Sequence, residues 1–344
     1  MKRILITGGA GFVGVNAARR FASDGWKVVV VDDLSRKGSS VNLDWLRSEV
    51  DVDFRRIDIR DAEPLARSVR KLRPDVVLHL AAQVAVTTSV VDPRTDFEIN
   101  ALGTFNVLEA VRRESPESIV LNASTNKVYG KLENLEVEER GGRWEFRDCR
   151  DGVGEDQPLD FHSPYGCSKG VGDQYVIDYS RIYGLRTLTF RQSCIYGPRQ
   201  MGVEDQGWVA WFTIASVLGK DVSIYGDGKQ IRDLLWVDDL VELYQAGISA
   251  AERGVGGAFN IGGGPDNTMS LLELLAHLER LNGRTLAHRF DAWRPGDQKV
   301  FVCDVSKAAE DLGWKPRTSV AEGVERLHGW VAANRDLFVG LFAG

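Results

Sequence analysis

The sequence predicts an α/β fold: a Rossmann-type doubly wound parallel sheet that carries a smaller, mixed α/β substrate lobe. Three observations predict it. The glycine-rich run Thr7-Gly8-Gly9-Ala10-Gly11-Phe12-Val13-Gly14 follows the short apolar run Ile4-Leu5-Ile6 and precedes a helical pattern. A second apolar run, Lys27-Val28-Val29-Val30-Val31, ends in Asp32. Short apolar runs then alternate with helical patterns through the first half of the chain, the rhythm of βαβ units.

Strands are expected at 4–7, 28–32, 53–57, 76–80, 119–124 and 187–191. As a set they are short, rich in Val, Ile and Leu, and not alternating, as strands covered on both faces should be. Helices are expected between them at 11–23, 63–71 and 103–113. Residues 131–162 break the rhythm: they are polar, charged and glycine-containing, and read as one long functional loop. After Arg191 come Gly197-Pro198 and the aromatic cluster Trp208, Trp211 and Phe212, which open the smaller lobe. A further strand is expected at 258–261, before Gly262-Gly263-Gly264-Pro265, and an amphipathic helix at 270–281. The expected division is a dinucleotide-binding domain over 1–191, rejoined by about 230–262, with 192–229 and 263–344 as the lobe.

Composition narrows the function classes. A net charge of −6 argues against bulk binding to nucleic acid or an acidic membrane, so an anionic ligand must be met by local arginines. Cys149, Cys167, Cys194 and Cys303 are scattered without metal-like spacing, which suggests reduced thiols, a cytoplasmic setting and no metal. No stretch approaches ~18 consecutive apolar residues, so no membrane span is expected. Asn122-Ala123-Ser124 matches a glycosylation sequon but falls at the end of a buried-looking strand, and is discounted.

The glycines carry the first chemistry. Glycine there permits a tight turn, close backbone approach to a pyrophosphate, and helix-to-sheet packing, while the following helix aims free N–H groups at the anion. An acid about 20 residues further on is where a ribose diol is held, and Asp32 fills that place. Arg36-Lys37 suits a 2′-phosphate, but the Asp32 carboxylate would repel one, so NAD is expected over NADP. Tyr165 and Lys169 stand four apart after Ser163-Pro164 and would share one helix face. A free phenol has a pKa near ~10, and a neighbouring ammonium favours phenolate. A hydroxyl to share the substrate's proton is expected at a strand end, where Ser124 and Thr125 lie.

Together TGGAGFVG, STNKVYG, SPYGCSK and RQSCIYGPRQ resemble an extended short-chain dehydrogenase/reductase acting on nucleotide sugars. Within that family, HLAAQVAVTTS, FEIN, LDFHSPYGCSKG, DQGWVAWF, GDGKQIRD and FNIGG are most similar to the CDP-paratose 2-epimerase group. The resemblance implies Thr125, Tyr165 and Lys169 as the catalytic trio. It implies cofactor contacts from Gly8, Gly11, Phe12, Val13, Asp32, Asp33, Ser35, Arg36, Asp58, Ile59, Leu80, Ala81, Ala82, Gln83, Asn100 and Ser124. For the substrate it implies Thr88, Thr125, Asn126, Cys194, Gln206, Trp208, Tyr225, Arg232, Arg294 and Asp297, the two arginines clamping a diphosphate.

The implied activity is NAD-dependent epimerisation of a CDP- or UDP-linked sugar, through a transient ketone, at C2 of a CDP-paratose-type substrate. A UDP-hexose 4-epimerase is the nearest alternative, with a 4,6-dehydratase or a non-catalytic NAD-binding protein behind it. Dehydratases of the family carry an acid pair after the catalytic threonine, where this chain has Asn126 and Lys127. Relatives often carry asparagine at Cys194, which leaves the sugar contacts there open. The family's four-helix interface implies a homodimer.

Overall fold

The computed structural model describes residues 1–294 and 297–342. Seven strands build the central sheet: β1 (Arg3–Thr7), β2 (Lys27–Asp32), β3 (Asp53–Arg56), β4 (Val76–His79), β5 (Ile119–Thr125), β6 (Arg186–Gln192) and β7 (Gly257–Ile261). Their order is β7-β6-β5-β4-β1-β2-β3, and every neighbouring pair is parallel. This is the doubly wound order, with its switch point between β1 and β4.

Strand alternation explains the three layers. Ile4, Ile6, Val28, Val30, Val76 and Leu78 point to one face, against Val15, Ala18 and Phe21 of the helix Phe12–Ser23 and Leu240, Leu243 and Tyr244 of Val237–Glu252. Leu5, Val29, Val31, Val77 and Val120 point to the other, against the helices Ala62–Leu72, Gly103–Glu114 and Ser163–Tyr183. Among the described residues no helix is long and apolar enough to cross a membrane.

The lobe packs the helices Trp208–Leu218, Leu271–Asn282 and Val320–Ala333 around a second core. Its central strand, Ile231–Trp236, pairs with Cys194–Tyr196, Thr268–Ser270 and Val300–Phe301. The strand Cys194–Tyr196 leaves the main sheet directly after β6, so the chain passes from sheet to lobe at the sheet's carboxyl edge.

Three stretches differ from the sequence reading. Residues 131–162 are not a plain loop, because Val137–Arg140 and Arg143–Phe146 form an antiparallel hairpin. Gly141 and Gly142, with φ of 60° and 84°, make its two-residue turn. The Gly-Gly pair was the readable signal, masked by the charges around it. The hairpin's Phe146 joins Val128, Tyr129, Ile231 and Phe301 in a core shared with the lobe. Residues 306–314, expected in the lobe, pack on the sheet: Ala308, Leu312 and Trp314 join its first core, and Trp314 Nε1 donates to Asp239 O at 2.9 Å. Of the segment expected to rejoin the sheet, 231–236 stays in the lobe, while Val237–Glu252 and β7 belong to the sheet layers.

A buried ion pair ties sheet, helix and the turn after β5 together. Arg191 of β6 meets Asp173 through Nη2 at 2.9 Å and Nε at 3.1 Å, and its Nη1 donates to Tyr129 Oη at 2.9 Å. Tyr129 in turn donates to Asn260 Oδ1 of β7 at 2.7 Å. Asp173→Ala strands a buried guanidinium and is expected to cost about 3–5 kcal/mol of stability, read from urea unfolding.

Candidate active site

The register aligns the strand ends. Thr7 pairs with both Val31 and His79, His79 with Asn122, and Thr125 with Gln192, so these carboxyl ends form one edge. A groove crosses that edge over β1 and β2, and a second cavity continues from it between the edge and the lobe.

Glycine shapes the groove. Gly8 has φ of 67°, and a Cβ on it would lie 2.6 Å from Ala81 N. A Cβ on Gly14 would collide with the Gly8 carbonyl. Gly11 begins the helix Phe12–Ser23 with no side-chain cap, so its first-turn N–H groups remain for a ligand. Asp32 accepts from Ala10 N at 3.1 Å and Leu34 N at 2.8 Å, which fixes its carboxylate at the end of β2, although burial raises its pKa. Gly8, Gly11, Phe12, Val13, Asp33, Ser35, Arg36, Asp58, Ile59, Leu80, Ala81 and Ala82 all border this groove. An uncapped helix start, a close backbone approach and an acid at the second strand end fit a dinucleotide carrying a free ribose diol.

The second cavity collects the polar strand ends. Ser124, Thr125, Tyr165 and Lys169 line one wall, and Cys194, Trp208, Tyr225, Arg232, Arg294 and Asp297 line the rest. Pro164 in the first turn and Ser163 at φ 71° set the start of the helix that carries Tyr165 and Lys169. Lys169 Nζ donates to Ala123 O at 2.6 Å, pinning this helix to β5. Thr125 Oγ1 accepts from Lys127 N at 3.3 Å, and the Thr125 hydroxyl favours the ionised form of the Tyr165 phenol.

The electrostatics correct one expectation. Lys169 does not bring the phenol down. Burial pushes Tyr165 up to about 12, and the Thr125 hydroxyl only opposes it. Burial also pushes Lys169 down to about 8. Both shifts run against the charged form, as burial does.

On the lobe side, Arg232 Nη2 meets Asp297 Oδ1 at 2.8 Å, not the adjacent Asp233, which is buried and accepts from Ser193 Oγ at 2.5 Å. Arg294 meets Asp205 at 2.9 Å and stacks over Tyr225 at 3.8 Å. Trp208 Nε1 donates to Cys194 Sγ at 3.5 Å. Gln206 borders both cavities and accepts from Arg36. Asn126 also lines the second cavity, its Oδ1 accepting from Thr125 Oγ1 at 3.3 Å.

Three expected contacts fall outside. Thr88 lies on the exposed side of the short helix Val86–Val91, and Val86 and Thr87 hold the wall instead. Gln83 and Asn100 border neither cavity and brace the wall from behind. Gln83 N donates to Asn100 Oδ1 at 2.9 Å, Gln83 Nε2 to Asp96 Oδ1 at 2.8 Å, and Ser168 Oγ to Asp96 Oδ2 at 2.5 Å. Asp96 and Ser168 escaped the sequence reading. Their signal was Asp96 and Asn100 four apart, beside a π-helical turn at Glu98–Leu102. Thr87, Gln200 and Gln230 were missed too. Each lines the second cavity, and each holds a buried oxygen without a hydrogen-bond partner among the described residues, as does Ser124.

The model of the GDP-mannose 4,6 dehydratase family matches residues 5–327. The chain belongs to that family. It is therefore an extended short-chain dehydrogenase/reductase. It is 44% identical to the CDP-paratose 2-epimerase of Salmonella typhi, over 96% of this chain and 99% of that protein. The crystal structure of a UDP-glucose 4-epimerase with UDP-glucose from Thermotoga maritima superposes with a TM-score of 0.83 at 31% identity, covering 97% of this chain and 99% of that one. That of a Bacillus cereus UDP-glucuronic acid 4-epimerase, in complex with UDP-glucuronic acid and NAD, gives 0.82 at 27% identity, covering 96% and 99%.

Between pH 8 and 10.5 the unfolded chain holds a proton on Lys169 that the folded chain has released, so this group's contribution to stability rises with pH. Wild type is expected to gain on Lys169→Met by about 1.4 kcal/mol per pH unit in that window, read from urea unfolding at pH 8.5 and 9.5.

Proposed function

We propose that this chain epimerises a nucleoside-diphosphate sugar with tightly held NAD, and that its substrate is of the CDP-paratose type, inverted at C2. The observation that carries the reading is one dry wall holding Thr125, Tyr165 and Lys169 beside a dinucleotide groove. The similarity to an epimerase over nearly the whole chain supports it. Gly8, Gly11, Phe12 and Val13 hold the NAD pyrophosphate and Asp32 its adenosine ribose. When bound, NAD supplies a cationic ring that takes a hydride from the sugar carbon and returns it.

Each side chain has a separate task. Tyr165 rests as a neutral phenol, and positive charge entering the site favours loss of its proton to bulk water, leaving a phenolate. The phenolate then takes the proton of the sugar hydroxyl through Thr125. Lys169 holds its helix against β5, and Arg36 is the cation that favours the phenolate. Arg232 and Arg294 hold the diphosphate, and Trp208 and Cys194 bound the space in which a flat ketone turns over. Asn126 and Lys127 supply neither the carboxylic acid nor the carboxylate base that expelling water from the sugar would require, which supports epimerisation over elimination.

We also propose a homodimer in the cytoplasm. Phe105 and Tyr175, on the helices Gly103–Glu114 and Ser163–Tyr183, meet edge to face at 5.9 Å on an exposed surface that continues to Ile182 and Tyr183. Two copies would cover this face with four helices. Tyr175→Glu is expected to shift the sedimentation coefficient from dimer to monomer.

Incubation with CDP- and UDP-sugars, followed by NMR, identifies the substrate and the inverted carbon. The expected product is a C2 epimer that carries no solvent deuterium when formed in D2O. Deuterium at the inverted carbon, a C4 epimer or a 4-keto-6-deoxy sugar would each replace the reading. Tyr165→Phe is expected to lose at least about 10²-fold in turnover while keeping its fold.

A further inference from the structure

The turn after β5 carries a lysine to which the proposed reaction gives no task of its own. Asn126–Tyr129 is a single 3-10 turn, and Lys127 N donates to Thr125 Oγ1 at 3.3 Å. The lysine is thereby fixed two residues beyond the hydroxyl that serves the reacting carbon. Its side chain lines the second cavity, and Nζ donates to Gln298 Oε1 at 3.2 Å. Gln298 is buried and anchored in turn by donating to the Gly130 carbonyl.

The charges around Nζ do not balance. Arg232 and Asp297 face it from the lobe, and the Cys194 thiol from the strand that follows β6. The Asp297 carboxylate is already engaged by Arg232 at 2.8 Å. Two cations thus share one carboxylate, and the hydrogen bond that Lys127 makes is to a neutral amide. An ammonium has three donors, and burying it without an ion pair is unfavourable unless a ligand takes them up. Burial pushes its pKa down to about 8, the direction expected of such a group. A polar acceptor entering the cavity beside Thr125 would relieve this imbalance. Of the two arginines assigned to the diphosphate, Arg232 is among the groups that face Nζ, and Arg294 lies over Tyr225.

We propose that Lys127 is a substrate-binding residue whose ammonium donates to an oxygen of the sugar ring, and so sets which sugar is held against Thr125. The proposal rests on the reading above only for the class of ligand, a nucleoside-diphosphate sugar.

Calorimetric titration of the NAD-loaded protein with CDP and with CDP-glucose, or with their uridine counterparts if those bind wild type better, separates sugar from diphosphate. Lys127→Met is expected to bind the sugar nucleotide about ten-fold or more weakly, as for a lost hydrogen bond to a charged group, and to bind the free diphosphate as wild type does. It is also expected to melt no lower than wild type, since a buried charge has been removed. Lys127→Gln, which keeps a donor, is expected to fall between the two. Equal weakening toward both ligands would overturn the proposal and make Lys127 a diphosphate or scaffold residue. Unchanged affinity for both would leave it no role in binding. If wild type forms no epimer from any sugar nucleotide while the selective loss persists, the epimerase reading fails and the role of Lys127 stands.

Discussion

The site depends on one constraint: parallel strands in register must end together. Thr7, Asp32, His79, Thr125 and Gln192 come to a common edge because their strands share registers fixed by two-sided burial. A one-residue slip of β5 would turn Leu121 and Val120 to the wrong layers and swing Thr125 away from the cavity. The apolar residues that make the sheet stable therefore also aim the polar residues at its rim. The helix Ser163–Tyr183 is subject to the same logic. It packs on the sheet through Val176 and Tyr179, and that packing carries Tyr165 and Lys169 to the rim.

Dryness then decides the chemistry. Water would let the phenol and both cavity lysines keep ordinary pKa values. Their burial instead raises the phenol to about 12 and lowers Lys127 and Lys169 to about 8. Burial opposes the charged forms without abolishing the ammonium groups at neutral pH, so a charged ligand shifts their protonation further. Proton transfer is thereby coupled to occupancy, which suits a reaction that must not leak a reactive ketone into solvent.

The sequence made the sheet, its carboxyl edge and the three central side chains legible, because each had a local signature. Gly8 to Gly14, the acid at Asp32, and the four-residue spacing of Tyr165 and Lys169 are short-range patterns. Thr88 was misplaced by a single residue: a helix of six residues has no periodicity long enough to say which threonine faces inward. Gln83 and Asn100, expected at the cofactor, border neither cavity and hydrogen-bond Asp96 and Ser168, a pair 72 residues apart in sequence. Long-range hydrogen bonds leave no local trace. The exchange of 306–314 from lobe to sheet has the same cause, since Trp314 finds Asp239 only in three dimensions.

Buried polar groups divide by location in a way that separates scaffold from site. Away from the cavities, Asp173, Arg191, Tyr129 and Asn260 are joined in one continuous chain, and Asn260 Nδ2 passes it on to Val153 O. Along the cavities, the oxygens of Thr87, Ser124, Gln200 and Gln230 have no hydrogen-bond partner among the described residues. Asn122 Oδ1 and Tyr196 Oη show that such atoms also occur elsewhere, yet Asn42 and Arg199, on the groove, add to the concentration. An unsatisfied buried polar atom costs about 1–3 kcal/mol, so a cluster of them is a destabilised surface. The scaffold's connected chain carries no such cost, so the two sets of buried polar groups mark where the molecule is internally satisfied and where it is not.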